Sequence, residues 1–175
     1  IEAKAENDWE AVNKHLYLVA QGLKDMYNTL CRMEEKCDPY IYYNRVRPYL
    51  FGSKDNSNLP EGLLYDEMFE GQPQKYRGET GAQSSIIPAL DGGLGIYHEE
   101  SKLKIYLLEM REYMPPKHRA FIEFCEKNGN IKEHVKDKDL EEPFNQCIDL
   151  MYDFRTKHME FAQKFIQQQE KKSSK

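Results

Sequence analysis

The sequence predicts an all-α protein, a helical bundle with one long glycine-rich loop and no significant sheet. Three observations carry that prediction. Trp9, Val12, Leu16, Val19, Leu23, Met26, Leu30 and Met33 alternate steps of three and four, the period of one face of a long helix. Leu140, Phe144, Cys147, Met151, Phe154, His158, Phe161 and Phe165 repeat the same spacing between Asp139 and about Gln167. No stretch alternates apolar and polar residues as a half-buried strand would.

At 175 residues, with 39% hydrophobic and 31% charged, the chain suffices for one domain, 1–175, with its own core. The net charge of -5 argues against nucleic acid or an anionic membrane as partner. No apolar run reaches the length of a membrane span and no signal peptide is visible. Cys31, Cys37, Cys125 and Cys147 lack metal-site spacing, so a reducing, cytoplasmic setting is expected.

In chain order, Asn7 or Asp8 is placed to cap the first long helix, and Gly22 is its one interior weakness. Asp38-Pro39 starts another helix, since proline at the first helical position forfeits no hydrogen bond. The segment 40–51 then crowds Tyr42, Tyr43, Arg45, Arg47 and Tyr49 together, and Pro48 is expected to kink or end the helix near Arg47. A guanidinium among tyrosines suits a carboxylate clamp, or a surface arginine stacked on a ring; spacing alone favours the second.

Eight of the ten glycines fall between Gly52 and Gly95, and residues 52–82 show no period, so they read as a long loop. The run Gly78-Glu79-Thr80-Gly81 leads through Ser84 and Ser85 into a short helix with Ile86, Ile87, Leu90 and Leu94. It lacks the lysine of a phosphate-binding loop, although free amides at a helix start suit a carboxylate. Leu103, Tyr106, Leu107 and Met110 are expected to form one amphipathic face. Pro115-Pro116 separates that helix from one carrying Phe121, Ile122 and Phe124 or Cys125. Gly129-Asn130 breaks the chain before a short turn through Ile131 and Val135. Residues 167–175 read as a polar tail.

The last long helix holds the one residue foreign to a plain core, His158 in the middle of its apolar stripe. Arg155, three residues earlier, can reach the same side. A neutral imidazole in an apolar wall suits an axial ligand for an iron porphyrin, with the arginine on a propionate. A hydrogen-bonded core histidine is the commoner explanation of such a residue, and spacing alone favours it.

Six blocks, taken in order, alter that balance. They are Arg47-Pro48-Tyr49-Leu50-Phe51-Gly52, Leu59-Pro60-Glu61-Gly62-Leu63-Leu64-Tyr65, Gly81-Ala82-Gln83-Ser84-Ser85, Leu94-Gly95-Ile96, the run from Met110 to Arg119, and Phe154-Arg155-Thr156-Lys157-His158. Together they resemble the indoleamine 2,3-dioxygenase family of haem enzymes over nearly the whole chain. The resemblance implies a bundle forming part of a haem pocket, with haem b (iron protoporphyrin IX) as cofactor and His158 as the proximal iron ligand. It implies that Arg155 pairs a propionate and that Asp91 contacts Arg155. Arg47 would bind the carboxylate of the amino-acid substrate, and Tyr42 would pack against its indole. Thr80, Gly81 and Ala82 would lie along the haem edge, with Thr80 matching a serine that contacts substrate.

The implied reaction inserts both atoms of O2 into the indole 2,3-bond of L-tryptophan or a related indole, giving N-formylkynurenine in tryptophan catabolism. A non-catalytic haem-binding or sensing protein, and a helical interaction module without haem, are the alternatives. Tyr42 stands where the family usually has phenylalanine, and Glu79 where glycine is common. Ile1 aligns well inside the family's large helical domain, so the resemblance covers its C-terminal part. A partner segment equivalent to the N-terminal half, in the same or a separate chain, is therefore expected.

Overall fold

In the computed structural model, which describes residues 1–173, the helices are α1 (Glu2–Ala5), α2 (Trp9–Cys31), α3 (Met33–Lys36), α4 (Pro39–Ile41), α5 (Ile86–Leu94), α6 (Lys102–Arg111), α7 (Pro116–Asn128), α8 (Glu141–Ala162) and α9 (Gln168–Ser173). π-helical turns occupy Tyr42–Val46 and Gln163–Gln167, and 3-10 turns include Arg47–Leu50, Gly81–Gln83 and Ile131–His134. The fold is all-α: among the described residues the one strand-like feature is an isolated bridge between Leu63 and Gln74. The chain forms two compact units, Ile1–Glu35 with Ala82–Glu160, and Lys36–Gly81 with the chain from Phe161 onward.

In the first unit α2 starts at Asp8, whose Oδ1 accepts the amide of Ala11 at 3.0 Å, satisfying one of the helix's free amides. Val12, Leu16, Ala20 and Leu23 are buried together with Leu140, Phe144, Cys147 and Met151 of the last helical stripe. The Cys147 thiol donates to the Leu16 carbonyl at 3.3 Å, and burial pushes its pKa up to about 11, so it stays protonated. Trp9 packs against this core, its ring tilted 42° to that of His134 with centroids 4.9 Å apart.

Burial does not follow the stripes to their ends. Met26 and Leu30 are only half-buried, and with Gly22, Asp25, Thr29 and Phe154 they line an open cleft of about 440 Å³. Helix α6 departs further from expectation. Only Met110 is buried, while Leu103 and Leu107 are exposed along with Ile105 and Leu108. Apolar residues on all sides of this helix leave no single stripe, and just its last turn enters the core. On α7 the buried pair is Ile122 and Cys125, with Phe121 and Phe124 exposed.

Helix α5 approaches α7 with almost no side chain between them. A Cβ on Gly92 would lie 2.8 Å from the backbone nitrogen of Glu126, closer than packed atoms tolerate. Pro88 sits in the first turn of α5, where its missing amide has no helical partner to lose. Gly95 ends the helix with φ of +82° and donates its amide to the Asp91 carbonyl at 2.9 Å. Arg111 of α6 grips Glu126 of α7 through both terminal nitrogens, at 2.6 and 3.2 Å.

In the second unit the loop after α4 is closed at a neck. A Cβ on Gly52 or Gly78 would run into the backbone of the opposite segment, so neither position has room for one. Just inside, the buried Ser53 hydroxyl donates to the Gln74 carbonyl and accepts the Tyr76 amide, both at 3.0 Å. Of the stretch read as a polar tail, Gln168–Ser173 is helical and Gln169 is buried, its side chain donating to the Lys164 carbonyl at 3.1 Å. Residues 174 and 175 lie outside the described residues.

Two glycine substitutions separate packing from propensity. Gly92→Ala should lower stability by about 1–3 kcal/mol, because the backbone of α7 must move. Gly22→Ala, where no atom lies within 4 Å of the new Cβ, should raise it by about 0.5–1 kcal/mol. Urea unfolding midpoints measure both, and equal effects would refute the close α5–α7 contact.

Candidate functional site

The first unit brings two polar side chains to one carboxylate. Asp91 lies in the C-terminal half of α5, with its side chain only 13% exposed. Arg155, on α8, donates from Nη2 to both Asp91 oxygens at 2.7 Å each. Beyond the Gly95 turn the chain doubles back, and His98 Nε2 meets Asp91 Oδ2 at 2.9 Å. An ionised carboxylate only accepts, so this histidine nitrogen carries the proton. The Arg155 side chain is 37% exposed, which makes the pair half-buried rather than fully enclosed.

Only one nitrogen of Arg155 is engaged. Its Nη1 and Nε make no hydrogen bond among the described residues, so the guanidinium retains donors for a second anion. One turn further along α8 lies His158. Its imidazole is exposed and has no hydrogen-bond partner among the described residues. This corrects the expectation of a histidine set in a buried wall. Burial along the stripe is complete at Met151, lapses at Phe154 and His158, and returns at Phe161 and Phe165. The lapse begins beside the open cleft that Phe154 lines with Met26 and Leu30.

No group of three or more histidine, cysteine, aspartate or glutamate side chains able to hold a metal ion occurs among the described residues. A porphyrin changes that requirement, since it supplies the equatorial ligands and asks one axial imidazole of the protein. An unengaged imidazole with a partly engaged guanidinium three residues before it fits that group chemically. Ala82, half-buried, is in the same unit within the Gly81–Gln83 turn.

In the second unit the break expected near Pro48 takes the form of a π turn, which stacks the positions of Tyr42 and Arg47. In an ordinary α-helix residues five apart point about 140° away from each other. Here Tyr42–Val46 is a π-helical turn, and the Arg47 amide donates to the Tyr42 carbonyl, an i→i+5 step that stacks the two positions. Pro48 explains the widening: it has no amide to offer the Asn44 carbonyl and its ring would clash there. The expected Pro48 break is therefore a π turn followed by the 3-10 turn Arg47–Leu50.

The Arg47 guanidinium lies 4.7 Å from the Phe51 ring centroid and 5.5 Å from that of Tyr43. Among the described residues it forms no hydrogen bond or ion pair. Stacking occupies the flat face of a guanidinium and leaves its in-plane donors available, so a stacked arginine and a carboxylate clamp are compatible. Tyr42 is half-buried, its ring edge-on to Phe165 at 5.9 Å and 83°. Thr80 is half-buried, and Gly81, where the Gly81–Gln83 turn begins, is exposed.

Two contributors escaped the sequence reading. His98 lies on no stripe, and only the chain reversal at Gly95 brings it to Asp91. Phe165 was placed as a core residue, but its contact with Tyr42 depends on the second π turn, Gln163–Gln167.

Asp91→Ala should cost the protein about 1 kcal/mol in urea unfolding, the discounted value for a pair with one partner over a third exposed. A loss near the 3–5 kcal/mol typical of fully buried pairs would contradict the half-buried geometry.

Comparison with known proteins places these residues in a family. A family model described as indoleamine 2,3-dioxygenase matches residues 1–175. Indoleamine 2,3-dioxygenase 1 of Rattus norvegicus is 36% identical over 94% of this chain and 41% of its own length. The Mus musculus protein of the same name is 36% identical over 97% of this chain and 43% of its own. Indoleamine 2,3-dioxygenase of Saccharomyces cerevisiae is 35% identical over 85% of this chain and 35% of its own. The chain thus spans about two fifths of the length of the first two relatives.

Proposed function

Since the chain belongs to the indoleamine 2,3-dioxygenase family, we propose that it is the haem-binding part of a dioxygenase acting on L-tryptophan or a related indole. The supporting observation is local: an imidazole at His158 without a hydrogen-bond partner among the described residues, and three residues earlier a guanidinium held by a single nitrogen. Haem b supplies the oxygen chemistry when bound, both atoms of O2 entering the indole 2,3-bond to give N-formylkynurenine.

The protein's share is binding and orientation. His158 would hold the haem iron, and Arg155 would pair a propionate through the donors that Asp91 leaves free. Arg47 takes the substrate carboxylate in the plane of its guanidinium, while Tyr43 and Phe51 hold the flat face. Tyr42, kept edge-on by Phe165, packs against the indole ring. Thr80, Gly81 and Ala82 offer hydroxyl and backbone groups to substrate and propionate. None of these residues has to move a proton, and their work is to orient the indole and exclude water.

No described helix is long and apolar enough to cross a membrane. A cytoplasmic setting suits the four unpaired cysteines.

Two measurements test this reading. The protein loaded with haem should show a strong Soret band and a ferrous–CO spectrum, and should convert L-tryptophan to N-formylkynurenine with reductant and O2. His158→Ala should remove both spectra while leaving helical content by circular dichroism. Retention of the normal ferrous–CO spectrum would reject His158 as ligand.

Arg47→Lys keeps the charge and loses the fork. It should lower kcat/KM for tryptophan about ten- to a hundredfold, with a much smaller loss for an indole lacking the carboxylate. Equal losses on both substrates would assign Arg47 to the fold or the cofactor instead.

A further inference from the structure

The Asp91 carboxylate meets Arg155 in an unusual way. The commonest strong geometry for such a pair is the fork, two nitrogens on two oxygens. Here both oxygens fall on Nη2, each at 2.7 Å, and Nη1 and Nε make no hydrogen bond among the described residues. The contact that accompanies this arrangement is His98 Nε2 on Oδ2 at 2.9 Å, from a segment on the far side of the Gly95 turn. Asp91 Oδ2 thus accepts from two directions, from Arg155 Nη2 and from His98 Nε2. His98 is itself held in place. Its backbone carbonyl accepts the Lys104 ammonium at 3.2 Å, and Lys104 is paired with Glu100 at 2.6 Å.

We infer that His98 is a positioning residue for the cofactor: by holding Asp91 Oδ2 it keeps the carboxylate on one nitrogen of Arg155 and leaves Nη1 and Nε for a haem propionate. The inference rests on the haem reading above and extends it to a side chain outside every apolar stripe. Without His98 the carboxylate turns, takes the fork, and occupies the nitrogen that the propionate needs. Neither the charge of Arg155 nor that of Asp91 changes, so the effect belongs to geometry rather than to net electrostatics.

The test compares wild type, His98→Leu and His98→Gln. The glutamine amide donates to a carboxylate as the imidazole does, and the leucine cannot. In the apoprotein, 15N NMR of the Arg155 guanidinium, assigned against Arg155→Lys, reads the geometry with no porphyrin present. His98→Leu should shift the Arg155 Nε and Nη signals, and His98→Gln should keep them near wild type. Titration with haemin and with metal-free protoporphyrin IX should then show affinity about three- to tenfold weaker for His98→Leu and restored in His98→Gln. Metal-free porphyrin isolates the propionate contact from iron ligation by His158. Unchanged Arg155 signals in His98→Leu overturn the inference, as does a loss of affinity that glutamine fails to restore. If the Arg155 signals respond but no variant, wild type included, takes up either porphyrin, the haem reading fails while the control of Arg155 by His98 stands.

Discussion

The carboxylate of Asp91 is the point on which the first unit's functional geometry depends. It joins α5 and the segment just beyond the Gly95 turn to α8, 64 residues further along the chain. A half-buried ion pair of this kind adds little to stability. Its importance is directional: it settles which nitrogens of Arg155 remain available beside His158. The backbone around Asp91 is arranged to allow this. Gly92, the next residue, lets α5 close on α7, and Gly95 ends the helix so that His98 returns to the carboxylate it has just passed.

The second unit solves a different problem, that of placing two residues five apart on one face. Pro48 makes an ordinary helical turn impossible at Asn44, and the chain responds by widening rather than breaking. The resulting π turn aligns Tyr42 with Arg47, and a second π turn brings Phe165 against Tyr42. A wide turn sacrifices regular hydrogen bonding, and such turns occur frequently at functional sites for that reason. The guanidinium of Arg47 is left stacked on Phe51 and Tyr43 with its charge unpaired among the described residues.

Exposure is the clearest feature of the candidate ligand. His158 occupies a stripe position, yet neither it nor Phe154 is buried, although Met151 and Phe161 on either side are. Periodicity assigns a residue to a face, whereas burial depends on whether another element lies over that face. Helix α6 teaches the same lesson, since four apolar positions read as one face turned out to bury only Met110.

The long helices, the Asp8 and Asp38 caps and the all-α class were legible in the sequence, because each rests on local rules: a period of 3.6, a side chain that accepts an amide, a proline without one. The ordered blocks around Arg47, Gly81 and His158 likewise pointed to the family that the comparisons support. Tertiary structure alone decided how Arg155 shares Asp91, that His98 joins them, that Tyr42 and Arg47 align through a π turn, and that His158 is exposed. Those outcomes turn on where separate segments meet and on how a backbone relieves one forbidden contact. The first is not encoded in a short window, because it is a balance between separate parts of the chain; the second starts from Pro48, a local signal that does not by itself say whether a helix will kink, end or widen.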